Sequence, residues 1–387
     1  MPSQDSHFMS RALALAARGG RAVRPNPRVG AVLVRDGEII AAGYHSRFGG
    51  PHAEARVLEK AGPVARGSVL YVSLEPCSTK GKTPACTSAI IDAGVRRVVI
   101  GCRDRSPENG GRAEGILKKA GIAVTTGVRE EEAFAINRDF FTWVARRRPY
   151  TTLKLALSLD GRIATRSGDS RWISSPASRK YGHYLRSLAD AVLVGAKTVI
   201  RDDPLLTVRK GCRHPDLKRV ILEGKTRIPL TSRLLSGSGG GEVILAASRP
   251  LPAARARKLA ARGITCLELP SRSNRVNLGK LFRRLAERGL MRILVEGGGE
   301  TAAAVLEAGL VDEVHFFIAP IIIGGRSARP ALGGRGANLI REARRLRGLR
   351  VERLSTDIHV SAFVPGNPAS SRRPKGQTGP TPGLPRR

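Results

Sequence analysis

Acidic residues are scarce in this chain of 387: 32 Asp and Glu stand against 67 Lys and Arg, a formal net charge of +35. Such an imbalance raises nucleic acid or another acidic surface as a partner. Aromatic residues are scarcer still, at 4%, and binders of single-stranded nucleic acid depend on aromatic stacking platforms. No stretch approaches the roughly 20 uncharged apolar residues of a bilayer span, so no membrane association is expected and the protein should be soluble. Its five cysteines (Cys77, Cys86, Cys102, Cys212, Cys266) are scattered and form no disulfide framework, which fits a reducing cytoplasm. A secretory apolar region is missing. Despite the arginines between Arg11 and Arg24, Ser10–Arg18 reads as a first domain helix rather than a transit peptide. Internal repeats are also absent.

What is present is enough for two cores, given the length and a hydrophobic content of 41%. Residues 1–146 carry 22 basic and 14 acidic side chains, residues 147–364 carry 40 and 18, and residues 365–387 carry five and none. Most of the excess charge therefore sits in the second half. From 29 to 126, segments of strand and helix character alternate: strands at 29–34 and 39–44 around Asp36-Gly37, a helix from His52 to Ala61, and a strand at 68–74. A helix from Pro84 to Ala93, a strand at 97–101, a helix at 116–120 and a strand at 122–126 follow. One further helix is predicted over 130–146, ended by Pro149, which makes 146/147 the domain boundary. The expectation is an α/β/α layered domain.

A second alternating block runs from 147 to 364, with strands at 150–157, 191–195, 219–222, 242–246, 264–267, 292–296 and 312–318 and two last ones near 351–354 and 358–363. Ser236–Gly241 reads as a flexible connection rather than a phosphate loop. The segment 365–387, with six prolines and no acids, reads as a disordered basic tail.

One constellation carries chemistry. His52-Ala53-Glu54 is followed by Pro76-Cys77 and, nine residues on, by Cys86. One imidazole and two thiolates leave a fourth tetrahedral position of Zn²⁺ open to water, the mark of a catalytic site. Residues two apart on a helix do not share a face, so His52 and Glu54 serve one site only if the helix points its N-terminal end at the metal. Glu54 is then the general acid/base. Histidine-x-glutamate followed by proline-cysteine is the zinc-deaminase signature; deaminases of nucleic-acid bases usually close it with Pro-Cys-x-x-Cys, whereas here a basic loop separates the two thiols. Lys80 and Lys82 in that loop either meet a phosphate beside the zinc or are solvated. Cys102 reads as a strand-end core residue.

These motifs, with Pro25-Asn26-Pro27-Arg28-Val29-Gly30, Ser158-Leu159-Asp160-Gly161, Trp172-Ile173-Ser174-Ser175, Asp202-Asp203-Pro204 and Val295-Glu296-Gly297-Gly298, resemble those of the bacterial bifunctional riboflavin-biosynthesis deaminase/reductases over about residues 5–364. The resemblance implies a cytidine-deaminase-like first domain and a dihydrofolate-reductase-like second one. The first would remove the 2-amino group of 2,5-diamino-6-ribosylamino-4(3H)-pyrimidinone 5′-phosphate; the second would reduce the ribosyl group to ribityl with NADPH. It implies His52, Cys77 and Cys86 as zinc ligands and Glu54 as catalytic. It further implies Ser170, Arg186, Leu206, Arg209 and Glu296 as substrate contacts, and Ala156, Trp172, Thr198, Asp202, Gly224, Gly298, Gly299, Glu300, Thr301, Ala302, Ala303 and Ala304 as NADP contacts.

The residues themselves agree in part. Gly297–Gly299 between strand and helix can present N–H groups to a phosphate, though a plain turn has the same composition, and no Gly-x-Gly-x-x-Gly fingerprint is present. Arg186 and Arg209 offer guanidinium forks to a phosphate or are surface arginines. Trp172 reads as core on composition or as a stacking face, and Asp202 as a contact or a helix-end cap. Two places depart from the family pattern: Arg105, Ser106 and Ala113 in the 103–113 loop, and Gly224 after Leu222-Glu223. The partners expected are phosphorylated pyrimidines and no specific nucleic acid, with a homo-oligomer possible; a nucleic-acid base deaminase with a basic binding domain is the alternative.

Overall fold

The protein is described by a computed structural model covering residues 4–79, 84–107, 109–209, 214, 216–236, 240–271 and 274–365. Lys80, Lys82, Cys212, half of the Ser236–Gly241 connection and nearly all of the expected tail lie outside the described residues. Within them, no helix is long and apolar enough to cross a membrane.

In the first unit, helix α1 (Gln4–Arg18) buries Phe8, Met9, Ala12, Leu13 and Ala16 on one face, the stripe a 3.6-residue period produces. That face lies on strand β1 (Gly30–Arg35), which forms a hairpin with β2 (Glu38–Tyr44). The turn residues Asp36 and Gly37 both have positive φ, 51° and 82°, as a tight hairpin whose twist matches its strands requires. Gly30 is needed where it stands, because a Cβ there would meet the α1 backbone at 2.1 Å from the Ala12 carbonyl oxygen. Helix α2 (Ala53–Ala61), strand β3 (Val69–Leu74), helix α3 (Cys86–Asp92), strand β4 (Arg97–Cys102), helix α4 (Arg112–Lys119) and strand β5 (Ala123–Thr126) complete a sheet of order β2-β1-β3-β4-β5. Strand β3 is buried at all six positions, as a central strand covered on both faces must be.

Two expectations change here. The single helix predicted over 130–146 is two, α5 (Glu130–Ile136) and α6 (Arg138–Arg146), separated by Asn137 at φ −114°, ψ 20°. The Asn137 side chain turns inward and clasps the backbone of Arg28, accepting from its N–H (2.8 Å) and donating to its carbonyl (2.9 Å). Side-chain bonds of this kind compete with helical ones and interrupt the run. Helix α3 starts at Cys86 with Ala85 as its cap, so Pro84 precedes the helix instead of opening it.

The second unit comprises β6 (Tyr150–Ser158), β7 (Arg162–Ala164), α7 (Pro176–Leu188), β8 (Ala191–Gly195), α8 (Ala196–Asp202), β9 (Lys218–Glu223), β10 (Val243–Ala247), α9 (Ala253–Ala260) and β11 (Thr265–Glu268). It continues with α10 (Leu278–Glu287), β12 (Arg292–Val295), α11 (Gly299–Glu307), β13 (Glu313–Ala319), β14 (Arg329–Pro330), β15 (Arg347–Leu354) and β16 (Asp357–Phe363). Nine of these strands form one sheet of order β11-β10-β9-β8-β12-β6-β13-β16-β15, parallel from β11 to β13 and antiparallel beyond. Alternate residues feed two cores: Leu193, Val220 and Ile244 enter one, and Val194, Ile221 and Leu245 the other. The carboxyl ends of β8, β9 and β12 lie side by side, the edge where open parallel sheets bind ligands. At the junction Arg146 and Arg148 both pair with Asp312, at 3.3 and 2.6 Å.

Candidate functional site

His52 is the residue before α2, with extended backbone (φ −68°, ψ 162°), and its carbonyl accepts the N–H of Arg56. Its imidazole is therefore aimed off the helix end while Glu54, one residue into the helix, turns to the same place and is 3% exposed. The end-on geometry that the His-x-Glu spacing demands is the one observed. Strand β3 runs into Glu75-Pro76-Cys77, and the N–H of Cys86, first residue of α3, donates to Cys77 Sγ (3.3 Å). Three donors converge: His52 Nδ1 lies 3.2 Å from Cys86 Sγ and 3.6 Å from Cys77 Sγ, and all three fall within 4.8 Å of one another. Tetrahedral Zn²⁺ with Zn–N and Zn–S bonds of about 2.0 and 2.3 Å sets its donors roughly 3.5 Å apart, so this set fits the metal.

The ionisable groups of the cluster act strongly on one another. Hydrogen bonding from Cys86, aided by His52, holds the Cys77 thiol down to about 4. The Cys86 thiol is pushed up by that same bond and by burial, and the bond to Cys77 raises His52. Burial pushes the Glu54 carboxyl up to about 7. A cation would relieve the two sulfurs together, which is the ordinary way such a cluster is stabilised.

Above the cluster is a pocket of about 290 Å³ whose walls include Pro25, Asn26, His45, Asp104, Asn109 and Trp143. Sequence reasoning gave none of these a role. His45 stands edge-on to His52, with ring centroids 5.4 Å apart. Its Nε2 accepts from Asn26 Nδ2 (3.2 Å) and its Nδ1 donates to the Pro51 carbonyl (3.0 Å). Glu75 shapes the opposite wall: its buried carboxylate accepts the N–H groups of Asp104, Gly111 and Ala113, each at 3.0 Å. The departing residues fit this frame. Ser106 N–H donates to Asp104 Oδ1 (2.8 Å), and the Arg105 guanidinium sits 4.2 Å from the centroid of the Phe134 ring. Cys102 is buried at the end of β4, its Sγ 3.7 Å from the Ser73 carbonyl.

The second unit holds a much larger cleft, about 1580 Å³, beyond the 300 to 1,000 Å³ usual for one small ligand. Of the expected contacts, Ala156, Ser170, Trp172, Arg186, Thr198, Asp202, Arg209, Gly224, Glu296, Gly298, Gly299, Glu300, Thr301 and Ala304 line it. Leu206, Ala302 and Ala303 do not; they are buried in the packing behind the wall. Trp172 is 72% exposed with the Arg179 guanidinium 4.7 Å from its ring, so the core reading of it fails. Asp202 is the last residue of α8, and its carbonyl accepts from Arg171 (2.6 Å).

Gly298 caps α11 and its N–H meets Thr198 Oγ1 at 3.3 Å, so N–H groups at this helix start face the cleft where a phosphate would be favoured. On the floor, Arg186 grips Glu296 through Nε and Nη2, both at 2.7 Å. Burial opposes ionisation of Glu296, but Arg186 outweighs it and holds the carboxyl down to about 2. Lys154, which sequence reasoning passed over, is also on the floor, its ammonium lowered by burial against the pull of Glu296. A lysine in a strand gives no signal until its neighbours are known.

Comparisons with known proteins bear on both units. A family model described as the cytidine and deoxycytidylate deaminase zinc-binding region matches residues 2–102, and one described as the RibD C-terminal domain matches residues 149–360. Riboflavin biosynthesis protein RibD of Aquifex aeolicus is 41% identical over 356 residues, covering 92% of this chain and 97% of that one. The RibD of Escherichia coli K12 is 39% identical over 339 residues, covering 83% and 89%. Among solved structures, Acinetobacter baumannii RibD superposes with a TM-score of 0.80 at 36% identity, over 93% of this chain and 99% of that one. A Thermotoga maritima diaminohydroxyphosphoribosylaminopyrimidine deaminase/5-amino-6-(5-phosphoribosylamino)uracil reductase does so at 0.78, also 36% identical, with the same coverage. The chain belongs to the RibD family of bifunctional deaminase/reductases of riboflavin biosynthesis.

Proposed function

We propose that residues 1–146 deaminate 2,5-diamino-6-ribosylamino-4(3H)-pyrimidinone 5′-phosphate with Zn²⁺, and that residues 147–364 reduce the ribosyl group of the product to ribityl with NADPH. The observation that carries the first half is the convergence of His52, Cys77 and Cys86 with a buried Glu54 beneath a pocket sized for one heterocycle. His52, Cys77 and Cys86 would hold the metal. When bound, zinc supplies the Lewis acidity that makes a water nucleophilic near neutral pH. Glu54 moves the protons. Its carboxylate takes one from the water that adds to C2 and hands it to the exocyclic nitrogen, so that the C–N bond breaks with loss of ammonia, and the remaining hydroxyl proton passes to ring nitrogen N1 to leave a C2 carbonyl. A carboxyl raised toward neutrality by burial suits a group that must both accept and release a proton.

For the second half, the support is the size of the cleft, the N–H groups at the start of α11 and the fixed Arg186–Glu296 pair beside Lys154. NADPH supplies the hydride when bound. Ala156, Trp172, Thr198, Asp202, Gly224, Gly298–Thr301 and Ala304 would hold the cofactor, with Ala302 and Ala303 packed behind that wall. Ser170, Arg186, Arg209 and Glu296 orient the ribotide, with Leu206 behind them. The small phosphorylated substrates, rather than nucleic acid, are the partners in this reading, and the cytoplasm is its location. The test is to give the purified protein the diamino-pyrimidinone ribotide and follow ammonia release and NADPH oxidation separately. Both signals are expected. Ammonia without NADPH consumption overturns the reductase half, and neither signal overturns the whole reading.

A further inference from the structure

The wall of the small pocket is fastened to the other half of the molecule. Arg24, the residue before Pro25-Asn26-Pro27, lies between two carboxylates: Nη1 pairs with Asp190, and Nη2 lies 2.8 Å from Asp139 Oδ2 and donates to the Leu188 carbonyl at 3.2 Å. Asp139 belongs to α6 and is shared with Arg28, at the other end of the same short loop. Asp190 belongs to the second unit and is itself immobilised. Its Oδ2 accepts the N–H groups of Met291 (2.8 Å) and Arg292 (2.9 Å), and its own N–H donates to the Arg292 carbonyl (2.8 Å).

From this anchor the line runs inward through covalent and hydrogen bonds. Arg24 leads to Pro25 and Asn26, Asn26 bonds His45, and His45 packs against His52. A second fastening lies nearby: Trp143, also in the pocket wall, donates Nε1 to the Ala286 carbonyl of α10 (3.2 Å), and Met291 is buried in the first unit's core. Three cations, Arg21, Arg24 and Arg28, crowd two carboxylates, so loss of either charge leaves arginines that repel each other at the base of the loop.

We propose that Asp190, although it lies in the reductase half and touches no substrate, is a positioning residue for deamination, acting through Arg24 on the Pro25–Pro27 wall. The idea rests on the deaminase reading above. Asp190→Asn keeps an oxygen to accept from Met291 and Arg292 but removes the charge that holds Arg24. A wall displaced by a fraction of an ångström is expected to cost about tenfold in deaminase kcat/KM, while zinc content and reduction of the pre-deaminated product stay at wild-type levels. Arg24→Gln, which also gives up Asp139 and the Leu188 carbonyl, should cost at least as much, and the double variant should be no worse than that single, because both lose the Asp190–Arg24 pair.

Hydrogen exchange supplies a readout independent of turnover: the amides of residues 24–30 should exchange about fivefold faster in Asp190→Asn, and those of β9 to β11 should not. Wild-type protein that releases no ammonia, yet whose variant loosens residues 24–30, would overturn the deaminase reading and keep the coupling. Overturning the proposal itself takes unchanged exchange at 24–30, a deaminase rate within twofold of wild type, additive losses in the double variant, or equal losses in both activities.

Discussion

Glu54 and Glu75 are two buried glutamates 21 positions apart with opposite duties, and their partners separate them. Glu54 is raised by burial, which outweighs the hydrogen bonds from its own N–H and from Cys86. Glu75 accepts three N–H groups and so fixes the 104–113 loop. Glu75→Gln replaces one acceptor oxygen by a donor facing those N–H groups. Buried donors left without partners cost about 1–3 kcal/mol, so the variant should melt earlier and lose deaminase activity with zinc retained, which thermal unfolding and metal analysis would check. In the cleft, Arg186→Met leaves Glu296 buried without its partner. Breaking a buried pair costs about 3–5 kcal/mol, and reduction should fail while deamination continues; reduction at wild-type rate would refute the role given to the pair. The proposed zinc ligands and Glu54 were legible because their motif is local and ordered. Lys154, His45 and Asn109 were not, since each gains meaning only from residues brought to it by folding.

Among elements, strands and helices were readable from period and from turn residues such as Asp36-Gly37, and the missed break within 130–146 has a physical cause. Asn137 breaks a helix by bonding Arg28, 109 positions away, and no local pattern could announce that. Asn137→Ala should therefore destabilise the protein by about 1–3 kcal/mol, despite alanine's better helix propensity; a stabilised variant would mean that the clasp on Arg28 contributes nothing. Asp139, two residues further on, has a pH signature. Burial opposes its ionisation, but Arg28 and Arg24 outweigh it and hold the carboxyl below its ordinary range. A depressed carboxyl contributes stability that is complete above the unfolded-state value near 4 and is lost as pH falls through the folded-state value. Acid unfolding of the wild type should be steeper below about pH 4 than that of Asp139→Asn, measured by denaturant midpoints across that range.

At the scale of the whole molecule, the charge of +35 first suggested nucleic acid. Internal pairing accounts for little of it, since the net figure already counts the carboxylates: Arg24 and Arg28 share Asp139, Arg146 and Arg148 share Asp312, and Arg186 takes Glu296; other cations line the cleft where phosphates would lie. Nothing in the structure explains the size of the remainder. Retention on nucleic acid at low salt should vanish steeply with added salt and leave both activities untouched.

The central claim is that one chain carries two chemically independent sites that act in sequence. Glu54→Gln tests it most directly, with ammonia and NADPH followed on the diamino compound and, separately, on its deaminated product. The account predicts full zinc content, deamination slowed by about 10²- to 10⁴-fold, almost no NADPH oxidation from the diamino compound, and wild-type NADPH oxidation from the deaminated one. Rapid NADPH oxidation from the diamino compound without ammonia, or loss of reduction on both, would contradict it.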